Sequence, residues 1–175
     1  MTTSSEDRIL VLVRHASALG SGPSGDDHSR PLSEQGRADA QELGRWLREH
    51  GYGCDEVLCS PAQRTRETME EVGAAGCPEA EVQIEHRLYN GDSDDVLAVA
   101  REATPDASVV LVVGHAPGVP AAVSMLADGE GDDEAHDALT RGFAAGTAAV
   151  LSYRGHWSDL AYGSAVLEQV RHPAG

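Results

Sequence analysis

The chain has 175 residues, 41% of them hydrophobic, with 13 arginines and no lysine set against 29 acidic residues, for a formal net charge of −16 at neutral pH. That length supports one domain with an ordinary buried core, and the acidic field repels phosphate backbones, which excludes a general nucleic-acid binder. No apolar run approaches the roughly 18 residues of a membrane span, and Met-Thr-Thr-Ser-Ser-Glu-Asp at the start has neither the basic nor the apolar region of a leader, so a single cytoplasmic domain over residues 1–175 is expected, with no membrane partner.

In chain order, Ile9-Leu10-Val11-Leu12-Val13 is an uninterrupted, largely β-branched run, which predicts a strand buried on both faces. It ends in Arg14-His15, a cation and an imidazole delivered to the C-terminal edge of an α/β sheet, where ligands bind. Residues 20–30 are rich in Gly, Ser and Asp and read as a mobile loop beside His15, with His28 solvated. Ser33 is the expected N-cap of a helix that places Gly36, Ala40, Leu43 and Leu47 on one face and closes at Gly51.

Val57-Leu58-Cys59 predicts a second strand running into Ser60-Pro61, read as N-cap and first position of the next helix. Ala62, Thr65, Met69 and Val72 form its inner face, and Arg64 falls in its first turn, at the electropositive end suited to anions. The competing reading makes Arg64 a surface partner of Glu67 or Glu71; Arg66 faces elsewhere. Residues 73–81 read as a loop, residues 82–84 as a short strand, and residues 87–91 as a loop at the sheet edge. Ser93 is the expected cap of a helix reaching about Ala103, with Val96, Leu97 and Ala100 inward.

Residues 109–113, Val-Val-Leu-Val-Val, repeat the pattern of the first strand and end in Gly114-His115, followed by a helix opening at Pro117. Residues 128–137 are acidic but fail as a calcium loop, because Asp133 stands where glycine is required and Leu139 where a bidentate glutamate is required. They are expected to be a solvated loop, with His136 a bystander. Residues 147–153 and 157–162 predict a pair of strands around Arg154-Gly155-His156, and residues 163–175 an irregular end. Cys54, Cys59 and Cys77 lack metal-ligand spacing and are expected as free thiols, Cys59 inside a strand.

Strands alternating with helices predict a three-layer α/β/α sandwich on a mostly parallel sheet. Such a sheet brings Arg14, His15, Arg64 and His115 to one edge. Two guanidiniums, two imidazoles and a helix N-terminus suit a tetrahedral phosphoryl group. A neutral imidazole whose other nitrogen is held by a backbone carbonyl can attack phosphorus, while the arginines stabilise the oxyanions; no metal or cofactor is called for.

Four ordered motifs carry a resemblance. Val11-Leu12-Val13-Arg14-His15-Ala16, Pro31-Leu32-Ser33-Glu34-Gln35-Gly36, Ser60-Pro61-Ala62-Gln63-Arg64-Thr65 and Gly114-His115 resemble those of the histidine phosphatase (phosphoglycerate-mutase-like) superfamily, with Ala16 replacing the usual glycine. The resemblance implies the phosphoglycerate-mutase-like fold, His15 as phosphorylated nucleophile, Arg14, Arg64 and His115 as the phosphate pocket, and Ser17 as a weaker contact. The short length and Arg87-Leu88-Tyr89 before a helix look most like the SixA group of protein phosphohistidine phosphatases.

Many superfamily members carry a general-acid glutamate after the second arginine. Here Glu85 falls at a strand end, and Asp92 is the nearby candidate. An imidazole can leave already protonated, whereas an alkoxide needs a proton. The expected function is therefore metal-independent hydrolysis of phosphohistidine on a protein partner. The alternatives are a phosphatase of small phosphate esters, such as a small phosphorylated metabolite, using Asp92 or another acid, a mutase, or a module that recognises phosphoryl groups without turnover.

Overall fold

The computed structural model describes residues 7–174; the expectation concerning the first residues rests on 1–6, outside that range, and Gly175 also lies outside it. The elements in chain order are β1 (Asp7–Arg14), α1 (Glu34–Glu49), β2 (Glu56–Cys59), α2 (Gln63–Gly76), β3 (Glu81–Ile84), α3 (Ser93–Arg101), β4 (Val109–Gly114), α4 (Gly118–Leu126), β5 (Ala127–Gly131), α5 (Asp133–Thr140), β6 (Ala148–Arg154) and β7 (Ala165–Arg171). The strands form one sheet in the order β3-β2-β4-β1-β6-β7-β5. The β1–β4, β2–β4, β2–β3 and β5–β7 pairs are parallel, and only β6 runs against its neighbours. This is the mostly parallel α/β/α sandwich expected.

The pleat divides the core. Leu10 and Leu12 of β1 join Val110 and Val112 of β4 and pack beneath α3 and α4, while Val11, Val13, Leu111 and Val113 face α1 and α2. Each of these eight side chains is fully buried, which is why β1 and β4 read as unbroken apolar runs. α1 starts where expected: the Ser33 side chain accepts the Gly36 N–H, and Gly51 beyond its end has φ +81°.

Several boundaries differ. α2 begins at Gln63 with Ala62 as its N-cap, because the Ser60 hydroxyl is engaged by the Ala62 N–H and by His115. The helix continues to Gly76 rather than ending near Gly73; there a Cβ would lie 2.3 Å from the Gly44 carbonyl oxygen, so glycine permits α1 and α2 to cross closely. α3 is capped by Asp92 rather than Ser93, through reciprocal contacts with Asp95.

The acidic stretch 128–137 is not one loop. It supplies β5 and the start of α5, whose N-cap Asp132 accepts the Ala135 N–H. Residues 157–162 form no strand: Trp157–Asp159 is a single 3-10 turn, with Trp157 buried and its indole N–H donating to Ala107 O at 2.8 Å. The strand beside β6 is instead β7, inside the segment expected to be irregular.

Cys59 is a buried thiol in β2, pushed up to about 12 chiefly by burial. Cys54 and Cys77 are not free; they form a disulfide with Cα atoms 5.5 Å apart. α2 returns antiparallel along β2 and sets its C-terminus beside the residues that lead into that strand, a proximity invisible in a separation of 23 residues. No described helix is long and apolar enough to cross a membrane.

Candidate active site

β1 and β4 are neighbours with Arg14 opposite Gly114, and the His15 N–H donates to Gly114 O at 3.0 Å. Their two terminal histidines therefore emerge side by side, ring centroids 5.4 Å apart and planes tilted by 58°. Arg64 reaches the same place from the first turn of α2. All four sequence-identified residues, Arg14, His15, Arg64 and His115, line one cleft of about 470 Å³, together with Arg30, Asp92 and the Asn90-Gly91 and Ala116-Pro117 turns.

His15 is 8% exposed. Its Nδ1 lies 2.7 Å from the Ala16 carbonyl oxygen, which can only accept, so Nδ1 carries the proton and Nε2 keeps its lone pair. Burial holds the imidazole's pKa down at about 4; the Ala16 carbonyl opposes this, and the guanidiniums of Arg64, Arg14 and Arg30 reinforce it. His115 is pushed lower, to about 3, by burial, then by Arg64 and His15. Its Nε2 is 2.8 Å from Ser60 Oγ and its Nδ1 3.4 Å from Arg64 Nη2. Both imidazoles are neutral at pH 7.

The surroundings hold these groups from several elements. Gly146 N donates to His15 O at 2.8 Å, and Ala16 N donates to Thr68 Oγ1, which itself donates to Arg64 O at 2.7 Å. Buried Thr68 thus ties the end of β1 to the turn of α2 that carries Arg64. Arg14 Nη1 donates to Phe143 O at 3.0 Å, and burial followed by Arg64 lowers its pKa.

Arg64 does not take the surface role. Glu67 and Glu71 pair with Arg37, at 3.1 and 3.2 Å, while the buried Arg64 guanidinium turns inward to Asp27. Its Nη1 donates to Asp27 O at 2.8 Å and its Nη2 to Asp27 Oδ2 at 3.1 Å. Asp27 Oδ2 also accepts from Tyr89 Oη at 2.7 Å, and Oδ1 from Arg30 Nη1 at 3.1 Å.

Sequence reasoning missed Asp27, Arg30 and Ser60. Asp27 and Arg30 lie in a loop without periodicity, 37 and 34 positions from Arg64, and Ser60 had been assigned to a cap. The pairing of Arg30 with Asp27 at i,i+3 was the one local signal. Ser17 is not in the cleft; its carbonyl accepts from Ser33 N at 2.9 Å and anchors the start of α1. Glu85 is also outside, bound to Arg87 at 2.8 Å. Asp92 does line the cleft, with Oδ1 accepting the Asp95 N–H at 3.1 Å.

A family model described as the histidine phosphatase superfamily (branch 1) matches residues 10–96. The phosphohistidine phosphatase SixA of Escherichia coli is 31% identical over 123 residues, covering 69% of this chain and 75% of that protein. The chain belongs to the histidine phosphatase superfamily. An uncharacterised protein of Mycobacterium tuberculosis is 35% identical over 157 residues, 89% of this chain and 96% of that one. Among solved structures, a candidate phosphohistidine phosphatase SixA from Nakamurella multipartitia is 44% identical and superposes with a TM-score of 0.84, covering 97% of this chain and 98% of the other. For this histidine phosphatase the matched segment contains Arg14, His15 and Arg64, and His115 joins them through the β1–β4 pairing.

Proposed function

We propose that this phosphatase hydrolyses phosphohistidine on a protein partner through a phospho-His15 intermediate. The observation that carries the reading is the cleft's charge arrangement: a neutral imidazole with a free Nε2 among arginines, with Asp27 tied to three donors and Asp92 drawn through Oδ1 to the start of α3. Tyr89, Arg30 and Arg64 hold Asp27 well below the usual carboxylate range, so it stays an anion. Asp92 is engaged in capping α3. The likeness to SixA proteins supports the same substrate class.

In the first step His15 Nε2 attacks phosphorus while the bond to the substrate's imidazole breaks. A substrate ring protonated on its other nitrogen keeps that proton and leaves as neutral imidazole, so no acid is needed. Arg14, Arg64 and His115 face the equatorial oxygens, where charge spreads in the transition state. Water then attacks the phosphoenzyme, the electron pair of the second P–N bond returns to His15 Nε2, and both water protons leave with dihydrogen phosphate. The Ala16 carbonyl holds Nδ1–H throughout, fixing the tautomer.

The partner in this reading is a phosphorylated protein met in the cytoplasm. There the Cys54–Cys77 pair would stand reduced. The site does not depend on that bond, which lies at the other end of α2 from Arg64, about 20 Å along a helix of this length.

The test is release of phosphate from a histidine-phosphorylated protein and from an aryl phosphate, with chelator present throughout. Turnover of the first exceeding that of the second, unaffected by chelator, is expected. Turnover confined to the ester and lost in Asp92→Asn would favour the second reading, which the position of Asp92 in the cleft keeps open.

The pH dependence has a definite sign. Because His15 titrates at about 4, raising the pH from 5.5 to 8 changes the fraction of competent nucleophile little, whereas a side chain at its ordinary 6.5 would gain more than tenfold in neutral form. Corrected for spontaneous hydrolysis and for the ionisation of the substrate's own ring and phosphoryl group, kcat/KM should show no rise over that window. A rise with a midpoint near 6.5 would remove the assignment of His15 as a buried neutral nucleophile.

A further inference from the structure

Arg64 is held by two different parts of Asp27. The backbone carbonyl takes Nη1 at 2.8 Å, and the carboxylate takes Nη2 at 3.1 Å. Nη2 is also the nitrogen 3.4 Å from His115 Nδ1, so it points between the two functions of the cleft. A phosphoryl group drawn to Nη2 and His115 would share a donor with a carboxylate, and two anions on one nitrogen repel each other.

From this geometry we infer that Asp27 is an internal competitor for the phosphoryl site: its carboxylate occupies Arg64 Nη2 in the resting protein, yields it to the substrate, and reclaims it to expel inorganic phosphate. The inference rests on the phosphatase reading and deepens it by assigning the product-release step.

Three features fit exchange better than a fixed clamp. The Asp27 carbonyl would keep Arg64 anchored after the carboxylate has left. The Asp27 side chain is 49% exposed, so it leaves toward water rather than into packed core. Its loop is also closed at the neck, by the Ala18–Leu32 bridge, the Leu19 N–H on Pro31 O at 2.9 Å and Arg30 Nε on Leu19 O at 2.7 Å, while residues 23–28 between are exposed. Arg30 provides the parking place: it binds Oδ1, so its bond persists when Oδ2 leaves Arg64 and the displaced anion stays close enough to return, whereas Tyr89 binds Oδ2 itself and holds that oxygen on Arg64.

A purely structural Asp27 and a competing Asp27 predict opposite signs. If the carboxylate only steadies Arg64, Asp27→Asn loosens the guanidinium, weakens phosphate binding and lowers kcat with KM unchanged or raised. If it competes, the neutral amide competes far less well, and inorganic phosphate binds about tenfold more tightly, with KM falling and kcat unchanged or lower because product lingers. Tyr89→Phe keeps the ring against His115, removes only the hydroxyl that holds Asp27, and should shift phosphate affinity the same way by a smaller factor.

The experiment is calorimetric titration of inorganic phosphate into the intact wild type, Asp27→Asn and Tyr89→Phe, with phosphate inhibition constants measured beside it. Tighter binding in both variants supports the inference. Unchanged or weaker binding in a folded Asp27→Asn protein, with wild-type binding intact, overturns it and leaves the phosphatase reading standing. No phosphate binding by any of the three overturns both.

Discussion

Replacing His15 by alanine is expected to lower kcat on a histidine-phosphorylated protein by at least about a thousandfold and to abolish the phosphoenzyme trapped from labelled substrate. The choice between the two histidines comes from their nitrogens. His15 has Nδ1 fixed on a carbonyl and Nε2 free, whereas both nitrogens of His115 have neighbours, Ser60 Oγ and Arg64 Nη2. The substitution removes a largely buried neutral ring from the cleft edge, and a stability change of about 1–2 kcal/mol leaves the protein folded at assay temperature. Asparagine is the stricter comparison, since its amide N–H can still donate to the Ala16 carbonyl. It should be as inactive as alanine. A labelled phosphoenzyme persisting in either variant would exchange the roles of His15 and His115, and activity above a few per cent of wild type would remove the phospho-His15 route.

Arg64→Ala should cost about a hundred- to a thousandfold in kcat/KM, the range for removing a preorganised donor from a developing oxyanion. Arg64→Lys should recover part of this, because a point charge replaces a planar fork that spans Asp27 and the cleft. The loss could come from a displaced loop as well as from the missing cation, and a second readout separates the two. Arg64 helps depress both imidazoles. Its removal should therefore move the NMR titration midpoints of His15 and His115 upward from about 4 and about 3, toward 6.5. A kcat/KM within threefold of wild type would take Arg64 out of the site, and unmoved midpoints would say that its charge does not reach the histidines.

Legibility in the sequence follows physical lines. β1 and β4 are buried on both faces, so their apolar runs and terminal histidines could be read directly. β7 was missed because it lies toward the sheet margin, where Ala165 and Leu167 are buried but their neighbours only half so, and a register shift against β6 blurs the alternation. Trp157 suggested a strand because aromatic residues favour strands, yet a short 3-10 turn suffices to bury it. Ser60 had two jobs, and sequence showed only the local one; the hydroxyl that accepts the Ala62 N–H also meets His115, 55 positions away. Asp27 illustrates the same limit. A carboxylate in a Gly/Ser loop carries no periodic signal, and only the folded chain shows which arginine it meets.

The two histidines leave adjacent parallel strands whose register is fixed by a ladder of main-chain bonds. Their separation is thus inherited from the interstrand spacing of about 4.8 Å, not negotiated by side chains or loops. Insertions, deletions or wholesale replacement of the segments after β1, before α3 or around α5 would leave that spacing untouched. A lineage can therefore retool what approaches the cleft, one loop at a time, without rebuilding the chemistry at its floor. The same property makes the β1–β4 pair a sound chassis for laboratory evolution: libraries confined to residues 20–25 and 90–91, which spare Asp27, Arg30, Tyr89 and Asp92, would vary selectivity while conserving the distance on which phosphoryl transfer depends.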